Sequence, residues 1–137
     1  ISDDRWGFVG HIGGDDFIVL TLPRHSLDVA KGIVDAFRDC LREFHGEDDY
    51  VRGCYHSQNR KGEYETFELL SLSIAIVSTE VNKISSYAEL ASLATEIKKM
   101  AKKQKGFSIV RDRRLCSQKN NDNIVTPNIN DVVRISC

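Results

Sequence analysis

Two adjacent carboxylates follow a pair of glycines near the start of the chain, as Gly13, Gly14, Asp15 and Asp16. Carboxylates on a tight turn suit magnesium, a hard ion that proteins usually hold through one or two carboxylates while substrate phosphates complete its shell. Glycine has no side chain, so a phosphate or a base can approach the backbone closely. Successive strand residues point to opposite faces, so only one of the two acids faces a given ligand directly.

The same four residues also suit an ordinary hairpin, since Gly-Gly-Asp is common turn chemistry. They do not form the G-x-G-x-x-G pattern of a dinucleotide-binding fold, because the glycines lie inside a predicted hairpin and not before a helix. The spacing alone therefore leaves both a nucleotide site and a plain turn open.

The composition restricts the class of protein. The chain has 137 residues, 41% hydrophobic and 28% charged, and its 19 basic and 20 acidic residues leave a net charge of −1. This predicts one soluble domain and disfavours a general nucleic-acid or membrane-surface binder, which usually carries a basic excess. No apolar run suits a membrane span and no signal peptide begins the chain, so we expect no membrane insertion and a cytoplasmic protein. Cys40, Cys54, Cys116 and Cys137 lack zinc-type spacing, which predicts free thiols.

The hydrophobic pattern predicts an α+β sheet covered by helices. Short runs of β-branched and aromatic residues predict a hairpin over 6–22, with the glycines in its turn. Apolar residues at three-four spacing predict helices over about 26–45 and over 86–105, the second opened by a capping box. The other predicted elements are an irregular hairpin over 47–66, a buried strand over 69–78, a strand over 107–111 and, outside a domain of 1–114, a polar tail over 115–137.

The run Gly13-Gly14-Asp15-Asp16-Phe17 resembles the signature of the GGDEF family, the diguanylate cyclase domains of bacterial cyclic di-GMP signalling. Leu72-Ser73-Ile74-Ala75-Ile76 is similar to the family's L-S-I-G strand, and the segment from Tyr87 through Ala101-Lys102 is similar to its last helix. The resemblance covers roughly Phe8 to Val110. The residues of these segments are most similar to those of GGDEF domains in bacterial proteins that also carry EAL and CBS domains.

The resemblance implies a nucleotide-cyclase-like sheet and the condensation of two GTP molecules to cyclic di-GMP, with Mg²⁺ or Mn²⁺ bridging phosphates. It implies catalysis and metal binding for Asp15 and Asp16, nucleotide contact for Gly13 and Gly14, and phosphate contact for Lys102. Lys102 also suits a solvent-exposed helix end, where a cation complements the helix dipole. The reaction needs two domains face to face, so the resemblance implies a homodimer with GTP or cyclic di-GMP as ligand. Regulatory or EAL-type domains are the expected attached partners, and nucleic acid is not.

Several positions depart from the family's pattern. Asp16 stands where active members nearly always have Glu, and the missing methylene moves the carboxylate by about 1 Å, which weakens a catalytic geometry. His11 stands where Arg is common, and it also suits a partly buried strand residue. The product-inhibition motif R-x-x-D is out of phase at Arg5, so feedback inhibition by that route is not expected.

The resemblance also places a first strand, with a metal-binding Asp, and two helices before Ile1. That strand is expected in the middle of the sheet, and a gap there would expose backbone groups that must pair with something. We therefore expect either a piece of a larger protein or copies that associate to cover the edge. The chain alone is not expected to assemble a complete cyclase site.

Three functions remain open on the sequence. The first is a GGDEF domain that contributes to cyclic di-GMP synthesis, and the second is a degenerate regulatory module that binds GTP or a partner domain and controls an attached phosphodiesterase. In the third, the functional surface is the segment 47–66, which also suits an ordinary exposed hairpin. Its tyrosines and basic residues are Tyr50, Tyr55, Tyr64, Arg52, Arg60 and Lys61.

Overall fold

The computed structural model describes residues 7–80, 83–113 and 131–136. These residues form a mixed α+β domain with a five-stranded sheet, a two-stranded ribbon and three α-helices, which confirms the predicted α+β class. The strands are β1 (Gly7–Gly13), β2 (Asp16–Thr21), β3 (Cys54–Gln58), β4 (Tyr64–Glu68), β5 (Ser73–Val77), β6 (Ser108–Arg111) and β7 (Asp131–Ser136), and the helices are α1 (Ser26–His45), α2 (Glu47–Arg52) and α3 (Tyr87–Lys102). None of the helices in these segments is long and apolar enough to cross a membrane.

The last strand, β7, lies in the middle of the large sheet, whose order is β1-β2-β7-β5-β6. It pairs antiparallel with β2 on one side and antiparallel with β5 on the other. The place where the resemblance predicted a gap is therefore filled by a strand of this chain, and the backbone groups that a gap would expose are paired.

The position of β7 changes the predicted domain boundary. The sequence predicted a polar tail over 115–137, but 131–136 belongs to the sheet, and Ile135 is 7% exposed in the core. The physical reason is the short run of β-branched residues at Val132, Val133 and Ile135, which favours a strand once both neighbours offer hydrogen bonds. The rest of the predicted tail, 115–130 and Cys137, lies outside the described residues, as does Arg114 at the end of the predicted domain.

The segment predicted as an irregular hairpin is a helical turn followed by a regular ribbon. The helix α2 begins with three acidic residues, which favour a helix N-terminus, and ends at Gly53, whose φ of 75° closes it. The strands β3 and β4 then pair antiparallel, with Tyr55 opposite Phe67. The ribbon extends to Glu68, two residues beyond the predicted end.

The core has two layers, one on each face of β5. On one face, α1 contributes Ala30 and Val34, which pack with Val19, Ile74 and Ile135. On the other face, α3 contributes Ala94 and Ile97, which pack with Ala75 and Val77. All five residues of β5 are buried, which confirms a strand covered on both faces, although it is shorter than the predicted 69–78.

The outer half of the hairpin is not covered in the same way. The sequence predicted a sheet covered by helices, yet Phe8 is 54% exposed and Val9 is 68% exposed on β1. Only the inner strand β2 contributes to the core, through Val19. The reason is the sheet order, since β1 is the strand farthest from β5 on its side of the sheet.

The start of α3 has the N-cap bond of the predicted capping box, while the reciprocal bond of Glu89 goes to Ser85 and not to Ser86. Ser86 Oγ accepts a hydrogen bond of 3.2 Å from the N–H of Glu89. The Glu89 carboxylate accepts bonds from the N–H and the Oγ–H of Ser85, and these bonds hold the pKa of Glu89 below its ordinary value. The first turn of α3 is thereby anchored.

Because Ile135 anchors β7 in the core, we expect Ile135→Ala to lower the free energy of unfolding by about 2–5 kcal/mol, the usual cost of truncating a buried isoleucine. Ile12→Ala is the matched control, since Ile12 is 51% exposed, and it should cost less than about 1 kcal/mol. Urea denaturation followed by circular dichroism measures both variants. Equal, small losses for the two would mean that β7 is not part of the stable sheet.

Candidate functional site

The glycine turn joins β1 to β2 through a loop of Gly14 and Asp15, while Gly13 pairs with Asp16. Both glycines have a positive φ, 151° at Gly13 and 58° at Gly14. Among the residues that the structure describes, no atom lies within 4 Å of a Cβ added to either glycine. The backbone of the turn is therefore open on the side where side chains would stand, and a ligand can approach it there.

His11 holds this turn from β1. Its Nε2 lies 2.9 Å from the carbonyl oxygen of Gly14, and since a carbonyl only accepts, the N–H of His11 donates this bond. The imidazole also stacks on Phe17, with ring centroids 4.7 Å apart. His11 is exposed, so the expectation of a partly buried strand residue is wrong. The side chain instead fixes the shape of the turn.

The two acids of the turn have different surroundings. Asp15 is exposed at the loop. The Asp16 side chain is 20% exposed, and its Oδ1 accepts a hydrogen bond from Nζ of Lys98, whose side chain is 12% exposed. The ion pair joins the first residue of β2 to α3, which packs on β5, β6 and β7. One of the two acids that the sequence assigned to catalysis and metal is therefore engaged by a lysine.

The turn and the last part of α3 lie at the same end of the sheet. Asp16 pairs with Ser136, Ser136 with Ser73, and Ser73 with Ser108, so these residues form one row across four strands. Ser108 Oγ donates a 2.8 Å hydrogen bond to the carbonyl of Ala101 near the end of α3. The row thus brings the glycine turn and the C-terminal turns of α3 to a common edge.

Lysines are concentrated at this edge of the molecule. They are Lys98, Lys99, Lys102, Lys103 and Lys105. Lys102, the predicted phosphate contact, is exposed and follows Lys98 by four residues, so it lies one turn farther along the same side of α3. The structure therefore places Lys102 on the side of α3 from which Lys98 reaches the hairpin.

The sequence did not single out Lys98. Its spacing nevertheless indicates a half-buried lysine. Lys98 follows the buried Ala94 by four residues and precedes the buried Ala101 by three, which puts it beside the apolar stripe of α3. A lysine at such a position needs a carboxylate or a route to water. The sequence does not identify which carboxylate, since Asp16 is 82 residues away.

The fit of a divalent metal at this turn is limited by the ion pair. Within 7–80, 83–113 and 131–136, no group of three or more His, Cys, Asp or Glu residues is placed to hold a metal ion. Asp16 already neutralises Lys98, so Asp15 is the acid of the pair that stands exposed. The implied Mg²⁺ or Mn²⁺ stays a prediction, and the arrangement around Asp16 does not favour it.

The third candidate surface is held by aromatic rings. His45 at the end of α1 stacks near Tyr55, with centroids 4.8 Å apart, and Tyr55 stacks on Phe67 at 5.5 Å. These rings fix the ribbon to the end of α1. Tyr64 at the start of β4 is 78% exposed, whereas Tyr50 and Tyr55 of the same candidate surface are half-buried.

A groove lies on the opposite side of β5 from α3, between α1 and β6. It has a volume of about 370 Å³ and contains none of the predicted site residues. The Arg38 guanidinium stands 4.8 Å from the centroid of the Phe107 ring. Its lining residues are Lys31, Val34, Asp35, Arg38, Phe107 and Ile109.

Two of the four cysteines can be placed. Cys40 is exposed and Cys54 is half-buried, and both are free thiols as predicted. Cys116 and Cys137 lie outside the described residues.

A scan against protein-family models and searches of curated proteins and of solved structures return no match to this chain.

The positive φ of Gly14 gives a test of the turn. We expect Gly14→Ala to lower the free energy of unfolding by about 1–2 kcal/mol, because an L-residue is strained in the left-handed region while open space excludes a clash. The matched control is Gly32→Ala within α1, which should raise it by about 0.8–1 kcal/mol through helix propensity. Chemical denaturation measures both. Stabilisation by both substitutions would contradict the left-handed turn.

Proposed function

We propose that the chain is a GGDEF-type regulatory module of bacterial cyclic di-GMP signalling. It binds GTP at the turn of Gly13 and Gly14, does not condense it, and controls an attached phosphodiesterase domain. The single observation that carries this proposal is the ion pair between Asp16 and Lys98. The pair engages one of the two acids that catalysis would need. The glycine backbone of the same turn remains open to a ligand.

Nucleotide binding is supported by what surrounds the turn. The backbone at Gly13 and Gly14 is open, and the lysine-rich end of α3 lies at the same edge of the sheet. Ammonium groups donate short, charge-assisted hydrogen bonds to phosphate oxygens. A triphosphate lying along this edge can meet Lys102 while its base or sugar contacts the glycine backbone.

The loss of the condensation reaction is supported by the position of the carboxylates. The resemblance assigns a metal-binding Asp to the family's central strand, but the acid of the central strand β7 is Asp131, which pairs with Thr21. Thr21 is five residues along β2 from Asp16, or about 17 Å at the usual rise of a strand. The residue of β7 that pairs with Asp16 is Ser136. A second carboxylate is therefore not supplied to the turn from this strand.

An active cyclase is the second candidate, and one observation favours it. Asp15, which matches the acid that the resemblance assigns to metal binding and catalysis, is exposed at the turn. In that case two copies would have to meet face to face, each presenting its own turn.

Titration calorimetry of GTP in the presence of magnesium tests the regulatory module. We expect binding, weakened about tenfold in Lys102→Ala through the loss of one charge-assisted contact to phosphate. Lys103→Ala is the matched control, since it removes the same charge from the same exposed helix end about 100° around the axis. It should bind GTP as the unchanged chain does.

Product analysis in the same samples separates the two candidates. The regulatory proposal expects no cyclic di-GMP after prolonged incubation with GTP and magnesium. Cyclic di-GMP that forms with the unchanged chain and disappears in Asp15→Ala would replace it with the cyclase. Absence of GTP binding would remove the nucleotide role and leave a module that acts through a partner domain.

A further inference from the structure

The ammonium of Lys98 lies next to a carboxylate of the glycine turn. Its Nζ donates to Asp16 Oδ1, and both side chains are largely withdrawn from solvent at 12% and 20% exposure. Bringing an ammonium to such low exposure is costly unless an opposite charge accompanies it. The carboxylate of Asp16 supplies that opposite charge to Lys98.

The pair also affects any cation that approaches the same carboxylate. A divalent ion at Asp16 would lie within a few ångströms of the lysine charge and would be repelled by it. The lysine is tethered to α3, so its effective concentration at Asp16 is high, and a dissolved metal ion must displace it to bind. The neighbouring acid, Asp15, is exposed to solvent, unlike the two side chains of the pair.

We infer that Lys98 is a tethered cation that takes the place of a divalent metal at Asp16, so that the turn receives a phosphate-bearing ligand without metal. This inference rests on the proposed function for the identity of the ligand. An ammonium has three N–H donors, so Lys98 can hold Asp16 and donate to a phosphate oxygen at the same time. Lys102, one turn farther along the same side of α3, extends the cationic surface outward.

The first arm of the test uses Mn²⁺ alone, followed by electron paramagnetic resonance of the free ion. Lys98→Met removes the charge and keeps a stem of similar length, and we expect it to bind Mn²⁺ at least about tenfold more tightly than the unchanged chain. The double variant Lys98→Met with Asp16→Asn should return to the original affinity. Lys99→Met is the matched control for net charge, because Lys99 is the exposed neighbour on α3, and it should stay within about twofold.

Three results would overturn the inference. They are an unchanged Mn²⁺ affinity in folded Lys98→Met, an equal gain in Lys99→Met, and a marked loss of Mn²⁺ binding in Asp16→Asn made in the otherwise unchanged chain. The last comparison needs no substitution at Lys98, so it decides the matter even if Lys98→Met fails to fold. Circular dichroism establishes the folding of each variant.

The second arm compares GTP titrations in EDTA and in magnesium. We expect the two affinities to agree within about threefold, whereas a tenfold or greater dependence on magnesium would contradict a resident lysine cation. A chain that binds no GTP in either buffer would remove the proposed function. The Mn²⁺ arm uses no nucleotide, so its outcome on Lys98 stands apart from that failure.

Discussion

The hairpin that carries the glycine turn is joined to the rest of the sheet through one strand, β7. Its hydrogen bonds run to β2 on one side and to β5 on the other, and Ile135 seats it in the core beside α1. Without β7 both neighbours would present unpaired edges, which is costly in a buried sheet. The row of paired residues that β7 completes also brings Asp16 level with the end of α3.

Once this row is in place, the chemistry of the turn follows from distance and charge. Lys98 lies beside the apolar stripe of α3, and Asp16 is the first residue of β2, the strand next to β7. Their side chains form an ion pair. The result is a turn with an open glycine backbone, one exposed acid and one acid engaged by a lysine. On our proposal, that combination serves the recognition of a phosphate and not a reaction that depends on two free carboxylates.

The local features were predictable from the sequence, and the long-range pairings were not. The hairpin, α1 and the capping box of α3 follow from turn residues, apolar spacing and a Ser-x-x-Glu pattern that each act within a few residues. The positions of β7 and of Lys98 depend on partners far along the chain, with Asp16 82 residues from Lys98. A pattern of six residues cannot specify which edge it will join, and a lysine beside an apolar stripe does not reveal its carboxylate.

The central claim is that Asp16 and Lys98 interact in the folded protein, and a double-mutant cycle measures this directly. The free energies of unfolding of Asp16→Asn, Lys98→Met and their combination are compared with that of the unchanged chain. A largely sheltered, charge-assisted hydrogen bond predicts a coupling energy of about 1.5–3 kcal/mol. Additive effects, with a coupling indistinguishable from zero, would contradict the claim.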